Sequence, residues 1–391
     1  MLYRVIVVGV GGIGSAACYR SAKSAGGGVL GLEQFELFHG NGESQDHSRI
    51  IRHAQHQEVY ADLAGPAYDA WDEVERESAQ RLVTKTGGLV IEAVADRTGL
   101  ATGTRNIAGY VHALRRQRVP FEVLGAGEVE ARWPQFRMNG DEQAVYQRDS
   151  GIVDARRANA VHVALARAHG ADIVDRTPVR ALKPTPRGIE VVTDAEVYRA
   201  EKVITAAGAW TNELLPDLKL PLRVTQEQVT YYSTPNLAEF SPARFPVFMW
   251  HGRHNFYGFP VYGEVATKLG QHMGGPEVTP RTRDFVPDPV RIERQQRFLA
   301  EHLPGFSGPE LYTKTCLYTI PPDQDFVLAP VPGDPRIVVF IGAGHAYKFA
   351  ALLGAILADL ALVGETPHRI AEFRLDRPAL TDPAFVPAYH V

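Results

Sequence analysis

The sequence predicts an α/β chain, α+β overall, in which a parallel strand–helix–strand unit is interrupted by a mainly antiparallel sheet and then resumed. Three observations carry this expectation. The chain opens on an all-apolar run, Val5–Val8, followed by glycines, a helical stretch and a second apolar run. That is the order of a βαβ unit whose strands are buried on both faces. From Pro221 to Tyr318, aromatics, prolines and alternating segments dominate, which is the texture of antiparallel sheet. At Ile337 a buried strand leading into a core helix returns. The expected boundaries are 1–85, 150–220 and 320–391 for the discontinuous first unit, and 86–149 with 221–319 for the inserted one.

Taken in order, Val5–Val8 is a strand, Ile13–Ala25 a helix and Val29–Leu32 a second strand ending in Glu33. Tyr60–Ser78 reads as a long helix with Leu63, Ala67, Ala70, Trp71 and Val74 on one side, the spacing of an amphipathic face. A helix over Asn159–His169 precedes strands at Asp172–Val174 and Val179–Leu182. Ile189–Val192 and Tyr198 suggest a hairpin, and Lys202–Ala206 a further buried strand ending in Gly208. Arg291–Leu303 is a helix within the antiparallel region. The longest apolar stretch, Ile337–Val363, is broken by His345, Lys348 and Asp359. A membrane span needs roughly 20 apolar residues in a row, so this stretch reads as strand, turn and core helix.

Composition narrows the class. The chain has 391 residues, 45% hydrophobic and 22% charged, as expected for a globular protein of two to three domain-sized units. Its net charge is −4. Without a basic run or tail, neither nucleic acid nor an anionic membrane is an expected partner. The two cysteines, Cys18 and Cys316, form no disulfide framework, so a reducing cytoplasm is the default expectation. The N-terminus lacks a basic segment followed by a cleavage site, so no signal peptide is expected.

Gly9-x-Gly11-x-x-Gly14, with Gly12 and Ile13 inside it, lies between strand and helix. Such glycines permit a tight turn, let backbone approach a pyrophosphate and let helix pack on strand. The helix start offers free N–H groups to phosphate. Glu33 stands where an acid bonds ribose hydroxyls. A Rossmann-like dinucleotide site follows, and the motif by itself does not choose between NAD and FAD. Two more strands end in small residues: Val203–Gly208, and Ile337–Gly344 with Gly342 and Gly344. Small residues there leave room for an extended cofactor against the backbone.

That combination resembles the glycine/D-amino-acid oxidase superfamily of flavoproteins. The segments Ser48–His53, Tyr257–Pro260, Lys268–His272, Lys314–Thr319, Gly344–Phe349 and Arg377–Leu380 are similar to the monomeric sarcosine oxidase and N-methyltryptophan oxidase family. The resemblance implies a Rossmann-like FAD-binding domain with an inserted, mainly antiparallel substrate domain. It implies that Cys316 carries FAD through a thioether and that Arg52 and Lys348 bind the substrate carboxylate. It places Ser48 and Arg49 near the flavin and makes Lys268 the lysine that activates oxygen. It gives His272, Tyr257 and Tyr318 the shaping of the pocket and the tuning of the bound amine. The implied partners are an amino acid and O2, and the implied state is a monomer or weak homo-oligomer.

The residue types suit that chemistry. Arg matches a carboxylate bidentately and Lys supplies a point charge. Lys268, Gly270 and His272 are two apart, so a strand puts them on one face with a gap between. Cys316 and Tyr318 share a face for the same reason. His53/His56 and His251/His254 have i, i+3 spacing but no third ligand, so no metal is expected. The segment Gln45–Ser48 and the loop Met249–His254 depart from the family pattern. Trp250 or His251 is the expected pocket wall in that loop. The competing readings are a flavin-dependent amino-acid dehydrogenase, an oxidase of another amine such as a biosynthetic cyclic imino acid, a NAD-dependent dehydrogenase, and a non-catalytic binding protein.

Overall fold

A computed structural model of the chain describes residues 1–93 and 106–387. Residues 94–105 and 388–391, within the expected units 86–149 and 320–391, lie outside the described residues. The opening apolar run is the buried half of the strand Leu2–Val8. It pairs in parallel with Val29–Leu32 on one side and Val197–Thr205 on the other. Ala171–Val174 and Asp334–Ile341 extend the parallel sheet at its two ends. Strand alternation sends Val5 and Val7 into a core formed with the helices Gly12–Ala25, Glu58–Ser78, Ala155–Ala168 and Ala350–Leu362. Ile6 and Val8 point the other way, toward Ile189, Leu214, Leu215 and Leu220. Both faces are therefore dry, which explains the unbroken apolar runs.

Two expected elements take a different form. Tyr198 and Lys202–Ala206 belong to one strand, Val197–Thr205. Its first half pairs antiparallel with Gly188–Thr193 and its second half parallel with Asp334–Ile341. Nothing between Tyr198 and Lys202 is a turn residue, so the chain continues straight. The helix expected from Asn159 starts at Ala155. Asp154 caps it, its side chain accepting from the Arg157 N–H at 2.9 Å, the ordinary work of an N-terminal aspartate.

The second sheet has eight strands in the order Glu310–Ile320, Arg223–Tyr232, Thr267–Gln271, Asn255–Phe259, Val247–His251, Gly88–Glu92, Gln143–Gln147 and Glu122–Gly125. Every pair is antiparallel except Val247–His251 with Gly88–Glu92. Its core is aromatic, with Phe240, Phe245, Phe248, Phe298, Phe306 and Trp250 among the buried residues. The helix Pro289–His302 lies on it, held by a buried ion pair between Arg291 and Glu227 at 2.7 Å. A small third sheet, Ser48–Ile51 with Gly151–Asp154 and Val83–Lys85, carries Ser48 and Arg49. Among the described residues no helix is long and apolar enough to cross a membrane, and no His/Cys/Asp/Glu group could hold a metal. Both cysteines are unpaired.

Candidate active site

A cavity of about 680 Å³ runs from the first glycine turn to the wall of the second sheet. Gly9, Gly11, Gly12, Ile13 and Glu33 line one end. Arg52, Tyr257, Lys268, His272, Cys316, Tyr318 and Lys348 line the other, and Ser48, Arg49, Gly342 and Gly344 also face it. Of the residues singled out from sequence, Gly14 is not in the wall. A Cβ there would sit 1.7 Å from the Gly9 carbonyl oxygen, so Gly14 lets helix pack on strand.

At the glycine end the backbone itself forms the wall. Gly9 has φ +88°, and a Cβ on it would meet the Ala206 oxygen at 2.6 Å. A Cβ on Gly12 would meet the Tyr347 ring at 2.6 Å. The helix cap at Gly11 has no side-chain acceptor, and the Gly12 N–H donates to Ser44 Oγ at 2.8 Å. Glu33 is buried at the end of its strand and accepts from the Val10 N–H at 2.9 Å. This is a cradle for a group that needs N–H donors close to backbone.

At the sheet end, strand alternation aims the chemistry. Lys314, Cys316 and Tyr318 share the cavity side of Glu310–Ile320. Lys268 and Gly270 share that side of Thr267–Gln271, and Tyr257 is the register partner of Gly270. A Cβ on Gly270 would lie 2.5 Å from Tyr257 Cζ, so the expected gap holds the Tyr257 ring. The rings of His272 and Tyr318 are 5.8 Å apart. Gly344, at φ +73°, presses on Tyr318, where a Cβ would lie 2.4 Å from the ring.

Charge is concentrated here although the chain is acidic overall. Lys268 is buried, with Nζ 2.6 Å from Asp46 Oδ2 and donating to Ser48 O at 3.0 Å and Ser48 Oγ at 3.1 Å. Burial draws its ammonium down to about 8, assisted by Arg49 and opposed by Asp46. Arg49 donates to the backbone oxygens of Ser48, Glu43 and Gln45. Arg52 Nε and Nη1 are buried without a hydrogen-bond partner, and its guanidinium lies 5.6 Å over the Tyr110 ring. Lys348 Nζ donates to the His345 carbonyl. Burial, and then Arg52, pushes its ammonium well below the usual lysine range. Cys316 faces the cavity, and burial pushes its thiol up to about 11, with Arg49 acting the other way. Burial likewise raises the Glu43 carboxyl to about 7, although Thr319 Oγ1 donates to it at 2.5 Å.

Residues 4–360 match the family described as FAD dependent oxidoreductase. The chain belongs to that family. It is 32% identical over 380 residues to monomeric sarcosine oxidase of Streptomyces avermitilis, covering 95% of this chain and 96% of that one. It is 31% identical over 384 residues to N-methyl-L-tryptophan oxidase of Escherichia coli K12, covering 96% and 100%. Among solved structures it is similar to NikD, an unusual amino acid oxidase essential for nikkomycin biosynthesis, with a TM-score of 0.82, 29% identity, and 95% and 97% of the two chains covered. At Gly9 and Gly14 the strand, turn and helix of this FAD dependent oxidoreductase approach so closely that neither position has room for a Cβ.

Several wall residues of this flavoprotein carried no sequence signal. Asp46 and Ser44 lie in a loop without periodicity. Tyr110 and Asn255 enter the wall from elements far apart in the chain. Tyr110 Oη is 3.2 Å from His251 Nε2, and His251 Nδ1 is 3.2 Å from Asn255 Oδ1. Of the two candidates in Met249–His254, only His251 faces the cavity. Trp250 points to the opposite face of Val247–His251 and packs on Phe298 and His302. Strand alternation separates neighbours in this way.

Proposed function

We propose that the chain is an FAD-dependent oxidase of secondary amino acids, N-methyl or cyclic, that yields an imine and hydrogen peroxide. The observation that carries this reading is the pair Arg52 and Lys348. The buried Lys348 and the half-buried Arg52 face one cavity, and two buried guanidinium nitrogens of Arg52 have no hydrogen-bond partner. An amino-acid carboxylate fits that demand. The relatives named for sarcosine and N-methyl-L-tryptophan support the amine class.

When bound, FAD would supply the acceptor for a hydride equivalent from the carbon beside nitrogen and the route of those electrons to oxygen. The chain's own groups bind and orient. Gly9, Gly11, Gly12, Ile13, Gly14 and Glu33 hold the adenine side, with Ser48, Arg49, Gly342 and Gly344 along the rest. Arg52 and Lys348 fix the carboxylate. Tyr257, Tyr318 and His272 wall the amine. Burial keeps both phenols above their ordinary range, so they remain neutral donors. Lys268 supplies a positive charge for the oxygen step, and Cys316 tethers the flavin. In this reading residues 1–85, 150–220 and 320–391 form the cofactor unit, 86–149 and 221–319 the substrate unit, and the protein works in the cytoplasm as a monomer or weak homo-oligomer.

The likeness to NikD, an unusual amino acid oxidase of a biosynthesis, favours a second reading, a flavin-dependent amino-acid dehydrogenase or oxidase acting on another amine, such as a biosynthetic cyclic imino acid. An aerobic peroxide screen over N-methyl, cyclic and primary amino acids tests both. Peroxide with N-methyl or cyclic substrates is expected. Activity confined to primary D-amino acids overturns the secondary-amine reading, and flavin bleaching without peroxide in air points to a dehydrogenase. Acid precipitation tests the tether: the wild-type pellet should be yellow and the Cys316→Ala pellet colourless, and a yellow variant pellet refutes the linkage.

A further inference from the structure

We propose that Asp46 is a positioning residue that keeps the buried Lys268 side chain in its ammonium form at the cavity wall. The inference rests on the reading that Lys268 serves the oxygen step. Three acceptors surround Nζ: Asp46 Oδ2 at 2.6 Å, Ser48 O at 3.0 Å and Ser48 Oγ at 3.1 Å. An ammonium has three N–H groups to meet them, and a neutral amine has two. Both side chains of the pair are 3% exposed, so each charge depends on the groups packed around it. The Phe259 ring lies 4.6 Å and the Tyr231 ring 5.7 Å from Nζ.

Groups from four neighbouring elements bear on this balance. From Ser48–Ile51, the Arg49 guanidinium opposes a second positive charge, and its Nη1 is 3.9 Å from Asp46 Oδ2. From Arg223–Tyr232, Tyr231 Oη donates to Asp46 Oδ1 at 2.6 Å. From Glu310–Ile320, Lys314 Nζ stands 3.7 Å from Asp46 Oδ1, and the Cys316 thiol faces the same space. From Asn255–Phe259, Tyr257 borders the cavity beside them. Among the described residues Asp46 is thus the one carboxylate in direct contact with Nζ, set among Arg49, Lys268 and Lys314. Its own carboxyl is held well below the usual range, since Lys268 and Arg49 outweigh its burial. Its backbone, at φ +96°, is in the left-handed region that favours glycine. A strained aspartate at this position is explained by what its carboxylate does.

Burial and Arg49 lower the Lys268 ammonium, and Asp46 raises it, to a balance near 8. The charge is therefore present below about pH 8 and lost above it. An opposite charge at this range is worth roughly 1–3 pK units. Without Asp46 the loss moves to lower pH, and at pH 8 the oxygen step slows on the order of tenfold or more.

The test uses dithionite-reduced holoenzyme mixed with oxygen across pH, for wild type, Asp46→Asn, Asp46→Gly and Lys268→Met. Dithionite removes any dependence on the identity of the amine. A second readout is the visible spectrum of the oxidised holoenzyme titrated with pH in the absence of substrate. Asp46→Gly suits the backbone at this position and is the second variant should Asp46→Asn fail to fold. Wild-type reoxidation should fall as pH rises through the Lys268 midpoint, and both Asp46 variants should show that midpoint, and the spectral one, at lower pH. Lys268→Met should be slow and flat with pH. A slow Lys268→Met beside Asp46 variants that keep the wild-type midpoints overturns the role of Asp46. A Lys268→Met enzyme that reoxidises at the wild-type rate overturns the reading of Lys268, and the proposal with it.

Discussion

Arg52 and Lys348 face one cavity, and the Arg52 guanidinium disfavours the charge of Lys348. Burial and Arg52 hold the Lys348 ammonium well below the usual lysine range. An incoming carboxylate reverses the balance and draws a proton onto Nζ. Binding with proton uptake weakens as pH rises. Calorimetric titration with a non-oxidisable carboxylate, in two buffers of different ionisation heat, should show uptake of protons; no buffer dependence would contradict it. A charge-assisted hydrogen bond contributes about 1.5–3 kcal/mol. Arg52→Ala should therefore lower kcat/KM by about 10- to 150-fold, mostly through KM. An unchanged KM would remove Arg52 from the carboxylate site.

At the scale of elements, the strand Thr267–Gln271 builds the active wall by leaving a side chain out. Lys268 reaches Asp46 and Ser48, and Gly270 makes room for Tyr257 from the neighbouring strand. A methyl at Gly270 collides with the ring, not with a flexible chain end. Overpacking of this kind costs about 1–3 kcal/mol. Gly270→Ala should lower the urea midpoint and also change turnover, because Tyr257 must move. Normal turnover with normal stability would show that the ring has another place to go.

For the molecule as a whole, two sheets must keep their places around one cavity. The helix Pro289–His302 braces the second sheet through Arg291 and Glu227, both side chains 2% exposed. Glu227 sits opposite Cys316 on the adjacent strand, so the brace backs the wall that carries the cysteine. Arg377 binds Asp323 at 2.6 Å and 3.0 Å, fastening the C-terminal segment beside the cavity. Removing one partner of a buried pair leaves the other charge uncompensated, at about 3–5 kcal/mol. Arg291→Ala should lower the unfolding free energy in urea by that amount, whereas Arg297→Ala, on the exposed side of the helix, should change it little. Equal effects from the two would argue against the brace.

Local pattern reached far in this chain because its strands are short, buried and punctuated by glycine. Val5–Glu33 declared a βαβ unit and a dinucleotide cradle from spacing alone. The two-residue period placed Lys268 with Gly270, and Cys316 with Tyr318, on common faces. Where pattern was silent, it missed the Asp154 cap, the continuous strand Val197–Thr205 and the direction of Trp250. The amino-acid sequence by itself determined the element types, the glycine turn and the residue kinds available for chemistry, since these depend on neighbours a few positions apart. Only the tertiary structure decided that Asp46 meets Lys268 across 222 residues of chain, that Tyr110 lies under Arg52, and that Tyr257 fills the gap at Gly270. Such contacts arise from how sheets and loops converge, and no local periodicity encodes that convergence.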